Sequence, residues 1–549
     1  VLAGLFVKRV SLSGKRELLK MKKFLKWRWL ALLAVLIVGV LAVPAAFAQD
    51  GGATDPIVAK TTDLETSINV MWVFIAAALI FFMQGGFALV EVGFTRRKNV
   101  AHTMMMNMMV FCVGALGYWL TGFAFQFGGV NEVYPAINGH DAWAFSPITL
   151  GDWTGLLDSS LKIAGSGVLG LKGFMLSGIG TGNFGVLVFF FFQMVFMDTA
   201  ATIPTGSMAE RLKFSGFVLM GLFVSMFMYP IVANWVWGGG WLANLGRTMG
   251  WGNGAVDFAG SGVVHLIGGA VGLAGAKVIG PRIGRFNKDG SANPAPAHNI
   301  VLGIAGTIIL FFGWFGFNPG SSLGFTGAFR NLAVLAGINT LLAGAAGGVS
   351  AMCYMWFINS LKKPDPALSV NGVLAGLVAI TAPCAFIDPW AAVVIGLIAG
   401  VLVCFATVWL EKLQIDDPVG AVPVHFVNGI FGVLCVGIFA NGNPDTAAWN
   451  GVATPVTGLL YGGYTQILAQ LTQAVVVGLV TLVASYAFFK VLLAAGLLRS
   501  DAQHELEGVD IPEMGSLGYN HDWQAPASAI PAALKGKIKL VDAHAPSGD

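Results

Sequence analysis

Two histidines close matching nine-residue segments of this 549-residue chain. One segment runs Asp257-Phe258-Ala259-Gly260-Ser261-Gly262-Val263-Val264-His265, the other Asp417-Pro418-Val419-Gly420-Ala421-Val422-Pro423-Val424-His425. Aspartate, glycine, valine and histidine recur at the same offsets, and each histidine then enters a membrane-length apolar run. An ionisable side chain inside a membrane is costly and marks a functional site by default. Two of them at matching places of two halves point to one site on a pseudo-symmetry axis. Neutral imidazoles can share one N–H···N bond and offer their outer nitrogens to a passing molecule. Their ordinary pKa near 6.5 suits proton exchange. Each aspartate precedes an apolar run, where capping of the next helix is its natural role.

Composition requires a membrane. The chain is 56% hydrophobic and 11% charged, with a mean hydropathy of +0.74. Soluble domains carry about 25% charged residues. A net charge of +3 gives no footprint for nucleic acid. All five cysteines (Cys112, Cys353, Cys384, Cys404, Cys435) lie in apolar runs, so neither a disulfide framework nor a zinc site is expected. The 74 glycines suit close helix packing in lipid.

The start of the chain reads as a targeting segment. Met21 opens Met-Lys-Lys-Phe-Leu-Lys, an apolar run follows from Leu30 to Val43, and Ala46-Phe47-Ala48 forms a small-x-small cleavage site. Residues 1–48 are therefore expected to be an upstream extension, with Met21 the true start, followed by a signal peptide cut after Ala48. The alternative is an uncleaved first helix. Either way, Gln49 onward faces outside.

Hydropathy predicts eleven spans at 70–93, 101–126, 184–208, 214–236, 260–279, 299–318, 331–358, 370–387, 391–411, 425–440 and 467–496. Basic residues follow the odd-numbered spans: Arg96, Arg97 and Lys98; Arg211 and Lys213; Lys277, Arg282, Arg285 and Lys288; Lys362 and Lys363; Lys412. The positive-inside rule puts those loops, and the tail 499–549, in the cytoplasm. Residues 128–183 form a Gly-rich stretch read as an outer loop with a re-entrant or surface element. The expected fold is an all-α membrane protein with about eleven transmembrane helices. Spans one to five and six to ten form an inverted 5+5 repeat, with the path for substrate at the repeat interface. The eleventh span is a peripheral helix. The membrane domain is assigned to 70–498 and an outer N-terminal segment to 49–69.

At this point the motifs resemble the ammonium transporter (Amt/Mep/Rh) family, in its bacterial Amt form, over about residues 70–520. The resemblance is carried by Gln84-Gly85-Gly86-Phe87-Ala88, Arg97-Lys98-Asn99-Val100, Ala209-Glu210-Arg211 and Trp237-Gly238-Gly239-Gly240. It is carried further by the Asp257–His265 segment, Trp314-Phe315-Gly316-Phe317-Asn318-Pro319-Gly320-Ser321, and Asp416-Asp417-Pro418 leading to His425. It implies that Trp237 and Ser321 recruit ammonium, that Phe196 and Phe317 form a stacked gate, and that His265 and His425 are the twin pore histidines. Asp257 would orient the site and Trp314 would face the pore near the histidines. Each residue alone has a plainer reading: interfacial tryptophan, packing serine, lipid-facing or core phenylalanine, structural histidine. The resemblance also implies a homotrimer with one pore per subunit in the bacterial inner membrane, with N-terminus outside and C-terminus cytoplasmic. It implies no cofactor or metal, and a tail from Arg499 that couples subunits near a docking surface for PII-type regulators. An ammonium sensor of the same fold is the competing reading. A membrane enzyme using the histidines as haem or metal ligands is a third, and no carboxylate or cysteine is spaced to complete such a site.

Overall fold

A computed structural model describes residues 56–133 and 150–519, apart from 152, 154, 164, 448, 450, 451 and 453. The expected signal peptide, its cleavage after Ala48 and the end of the tail lie outside the described residues.

Among the described residues, ten helices are long and apolar enough to span a membrane. They are α1 (Ile57–Phe94), α2 (Arg97–Glu132), α3 (Phe184–Met208), α4 (Phe214–Val236), α5 (Ser261–Ile279), α6 (Ile300–Ser322), α7 (Gly327–Ile358), α9 (Pro389–Lys412), α10 (Val422–Phe439) and α11 (Gln466–Ala494). Between α7 and α9 runs a shorter apolar helix, α8 (Pro366–Ile380). All eleven expected segments are thus helical; their ends shift by a few residues, the second running from Arg97 to Glu132, and the largest differences fall at the first and the eighth. The first begins at Ile57 rather than 70, so most of the described part of the outer segment 49–69 is the first turns of α1. The eighth stops at Ile380, because Thr381 to Phe386 turn away and leave Thr381 and Ala382 carbonyls to bond Ala259 and Phe258.

The two halves meet along α1 and α6, the first helix of each. Glycines let these backbones touch. A Cβ added at Gly93 would lie 2.5 Å from the Gly303 nitrogen, and one at Gly306 would lie 2.6 Å from the Gly86 carbonyl oxygen. In lipid such close approach replaces the hydrophobic drive that water would supply.

Of the Gly-rich stretch, Ser160–Ile163 and Ser166–Gly170 form two short strands and no span, as a short run broken by glycine permits. Strands β1 (Ser160–Ile163) and β2 (Ser166–Gly170) pair antiparallel. The hairpin docks on the end of α4 and the segment after it. Trp241 donates its N–H to the Gly167 carbonyl at 3.0 Å, and the Trp235 indole donates to the Val168 carbonyl at 3.1 Å. It therefore braces the loop that carries Trp237.

Candidate functional site

Both histidines sit on widened helical turns. Ser261–Leu266 and Val422–Val427 each form a π-helical turn at the start of α5 and α10. Such turns are rare and concentrate at functional sites. Their cause is local and repeated. Gly260 has φ +112° and Gly420 φ +78°, the left-handed region that glycine enters without strain. Each glycine lies three residues after its aspartate, so the chain doubles back and the carboxylate reaches the new helix's free N–H groups. Asp257 accepts from Gly260, Gly262 and Val263 at 2.8, 2.8 and 2.9 Å. Asp417 accepts from Gly420 and Val422 at 3.1 and 2.7 Å. Asp257 lies four residues before the helix begins, so it caps from outside the helix rather than as its first residue.

The turns bring the imidazoles together across the two halves. His265 Nδ1 and His425 Nδ1 are 3.1 Å apart, one donating to the other. The rings stack with centroids 5.2 Å apart and 19° between planes. One shared proton on the Nδ1 side leaves both Nε2 atoms for other use. His265 Nε2 is buried and has no hydrogen-bond partner among the described residues.

The other expected residues extend this pair into a continuous file. Trp314 stacks on His265 at 5.3 Å and 16°, and its indole donates to the Thr381 hydroxyl at 3.0 Å. Phe317 lies 5.6 Å from His265 and stacks on Phe196 at 4.1 Å. Trp237 meets Phe196 edge-on at 5.7 Å. Its indole N–H donates to the Asp257 carbonyl at 2.7 Å, which fixes the ring to the capping aspartate. The Ser321 hydroxyl donates to the Phe317 carbonyl at 2.9 Å, leaving its lone pairs free to accept. Every one of these side chains is buried.

Sequence reasoning missed the groups that hold this file. The peripheral helix α11 carries Gln466, Gln470 and Gln473 on one buried face. Gln470 accepts from Val256 N–H at 2.8 Å and donates to its carbonyl at 2.7 Å. Gln473 donates to the Asp257 carboxylate at 3.2 Å. Three glutamines at helical spacing in an apolar span were the available signal. On the other side, Trp449 stacks on Phe258 at 4.6 Å and donates to the Ser321 carbonyl at 2.9 Å.

At the arginine-rich end, a buried ion cluster ties the loops. Glu210, at φ +74°, pairs with Arg96 and with Arg282 at 2.6 Å. Arg282 forks onto Asp416 at 2.8 and 2.9 Å. Burial alone would raise the Asp416 carboxyl, but Arg211 and Arg282 beside it hold it well below the usual carboxylate range. The tail crosses this end. Glu505 accepts from Ile283 N–H and pairs with Arg499, while Asp510 accepts from the N–H groups of Ala101 and His102.

The chain as a whole is similar to known proteins. Residues 71–519 match the model of the Ammonium Transporter Family. The chain is 39% identical to ammonium transporter Amt2 of Archaeoglobus fulgidus, over 92% of this chain and 98% of that protein. It is 35% identical to a putative ammonium transporter of Synechocystis, over 88% and 94% of the two chains. Among solved structures it resembles one called Sensor Amt Protein, with a TM-score of 0.67 and 34% identity over 82% of this chain and 99% of that one. It also resembles Saccharomyces cerevisiae Mep2, with a TM-score of 0.66 and 25% identity over 84% and 93%.

Proposed function

The chain belongs to the ammonium transporter family, and from that premise we propose that it carries ammonium across the bacterial inner membrane through a pore in each subunit. The observation that carries the reading is the paired-imidazole file reached through stacked aromatic rings. Trp237 and Ser321 recruit the cation from outside. An indole face attracts ammonium by roughly 0.5–2 kcal/mol, and the Ser321 oxygen accepts an N–H. Phe196 and Phe317 close the way to a fixed charge. A bare ion of this size meets an idealised cost of order 20 kcal/mol on entering a low-dielectric medium. Two neutral imidazoles do not offset that. Ammonium therefore gives up its proton near the phenylalanines, ammonia passes His265 and His425 beside Trp314, and the proton moves separately along the imidazoles. Potassium has no proton to give and is excluded without a tight filter. Asp257 acts by positioning, through the cap on α5 and its carbonyl on Trp237.

The remaining assignments follow the family. The membrane domain spans 70–498, the N-terminal side faces outside, and the tail from Arg499 is cytoplasmic. The protein works as a homotrimer, and the tail's position across the arginine-rich loops suits regulation by a PII-type protein. Current recorded on a supported membrane of proteoliposomes after an ammonium jump tests the reading. A transient that scales with protein density supports transport with charge movement. Ammonium binding without current or uptake would favour a sensor.

A further inference from the structure

The proposed pore ends, on the arginine-rich side, in a cavity lined by Phe87, Glu91, Asn371, Leu374, Val424 and His425. Glu91 is the one carboxyl group on its walls among the described residues. It is 3% exposed and lies one turn, about 6 Å, further along α1 than Phe87. The Phe87 ring lies 6.3 Å from His425. A buried carboxyl group facing the exit of a proton-handling pair demands a reason beyond packing.

Its hydrogen bonds supply one. Asn107 donates to one Glu91 oxygen at 2.8 Å and the Thr205 hydroxyl donates to the other at 2.7 Å. Thr205 has a second acceptor for its single proton, the Thr202 carbonyl at 2.5 Å. With Glu91 ionised, the hydroxyl donates to the carboxylate. With Glu91 protonated, the hydroxyl turns to Thr202 and accepts the carboxylic O–H on its own oxygen. Both states are satisfied without moving the backbone, which a merely structural anchor would not need. Gly206 leaves the space: a Cβ there would lie 3.2 Å from the Glu91 oxygen and 2.5 Å from a Val419 methyl. His425 shares the cavity with Glu91, and the charged group nearest in effect is Asp417, whose oxygens are committed to the N–H groups of Gly420 and Val422.

We propose that Glu91 is the proton donor that turns ammonia back into ammonium as it leaves the pore. Ammonia that has passed His425 takes the carboxyl proton, forming an N–H bond as the O–H bond breaks, and leaves as ammonium. The proton relayed over the two imidazoles then restores the carboxyl group. One ammonium enters, one leaves, and Glu91 is unchanged. This rests on the transport reading above.

Glu91→Gln keeps the shape but has no proton to exchange. In proteoliposomes at matched density, its ammonium current should fall by on the order of tenfold or more, with the wild-type unfolding midpoint retained. Glu91→Asp should recover part of the current. The infrared difference spectrum of wild-type protein on adding ammonium should show a carboxyl C=O band that shifts in Glu91→Asp. A Glu91→Gln current equal to wild type would overturn the proposal and leave the transport reading standing. Absence of current from wild-type protein would instead defeat that reading. Should Glu91→Gln not fold, a wild-type spectrum without any carboxyl band would by itself overturn the role of Glu91.

Discussion

Removing the Asp257 carboxylate should damage the protein more than removing its repeat partner, although both aspartates occupy equivalent places. The difference can be counted. Asp257 accepts three backbone N–H bonds and one from Gln473. Asp417 accepts two backbone N–H bonds and is less enclosed. Each buried donor left without a partner costs about 1–3 kcal/mol. Asp257→Ala thus strands three buried backbone donors, for roughly 3–9 kcal/mol, and Asp417→Ala two, for roughly 2–6 kcal/mol. Asp257→Asn is the finer probe. Its one oxygen can serve Gly262 and Val263, leaving its amide against the Gly260 N–H. Gln473, which donates to that same oxygen, keeps its bond without turning. The expected cost is that of a single stranded donor, about 1–3 kcal/mol. Thermal unfolding in one detergent, read by intrinsic fluorescence, should rank stability as wild type, Asp257→Asn, Asp417→Ala, Asp257→Ala. Because the Asp257 carbonyl holds Trp237, surviving Asp257→Ala protein should also lose ammonium affinity. Asp257→Ala as stable as Asp417→Ala would refute the capping argument.

Trp237→Leu should weaken apparent ammonium affinity roughly 2- to 30-fold, the equivalent of a cation–π term; an unchanged concentration dependence in the current assay would make Trp237 an interfacial anchor. Gly93→Leu should destabilise by about 1–3 kcal/mol or more through overpacking against Gly303, and a mutant melting with wild type would deny the α1–α6 contact. Arg282→Ala leaves Glu210 to Arg96 and Asp416 to Arg211 and Arg285, removing one buried cation shared by both carboxylates, and should cost about 3–5 kcal/mol at neutral pH. Asp416 is depressed in the fold, so its stabilising contribution is present above the unfolded carboxylate pKa and is lost as pH falls through its lower native value. Acid should therefore destabilise wild type more steeply than Arg282→Ala, and parallel acid profiles would count against the cluster.

The spans were legible because a membrane asks for about twenty apolar residues and the chain supplies them. Their ends were less so. Residues 57–69 carry Lys60, Asp63 and Glu65 and look like a loop by hydropathy, yet helix formation continues past the hydrocarbon edge. Thr381 to Ile387 stays apolar although its backbone leaves the helix to bond the Phe258 turn. The histidine pair was legible from the repeated Asp-x7-His spacing alone. The π turns that aim the imidazoles were not, since they depend on a left-handed glycine and a distant carboxylate acting together. Glu91 went unnoticed because a lone glutamate near a span end reads as interfacial. Its meaning comes from α3 and α10, more than a hundred residues away.

The central claim is that His265 and His425 work as one relay, and a double-mutant cycle on current tests it most directly. His265→Ala, His425→Ala and the double variant would be reconstituted at matched density and compared for ammonium and potassium. Coupled residues do not add. Either single replacement should abolish selective ammonium current or admit potassium, and the double variant should be little worse than either one. Normal ammonium-specific currents in both single variants, with losses of yield and thermal stability that add in the double, would contradict the relay.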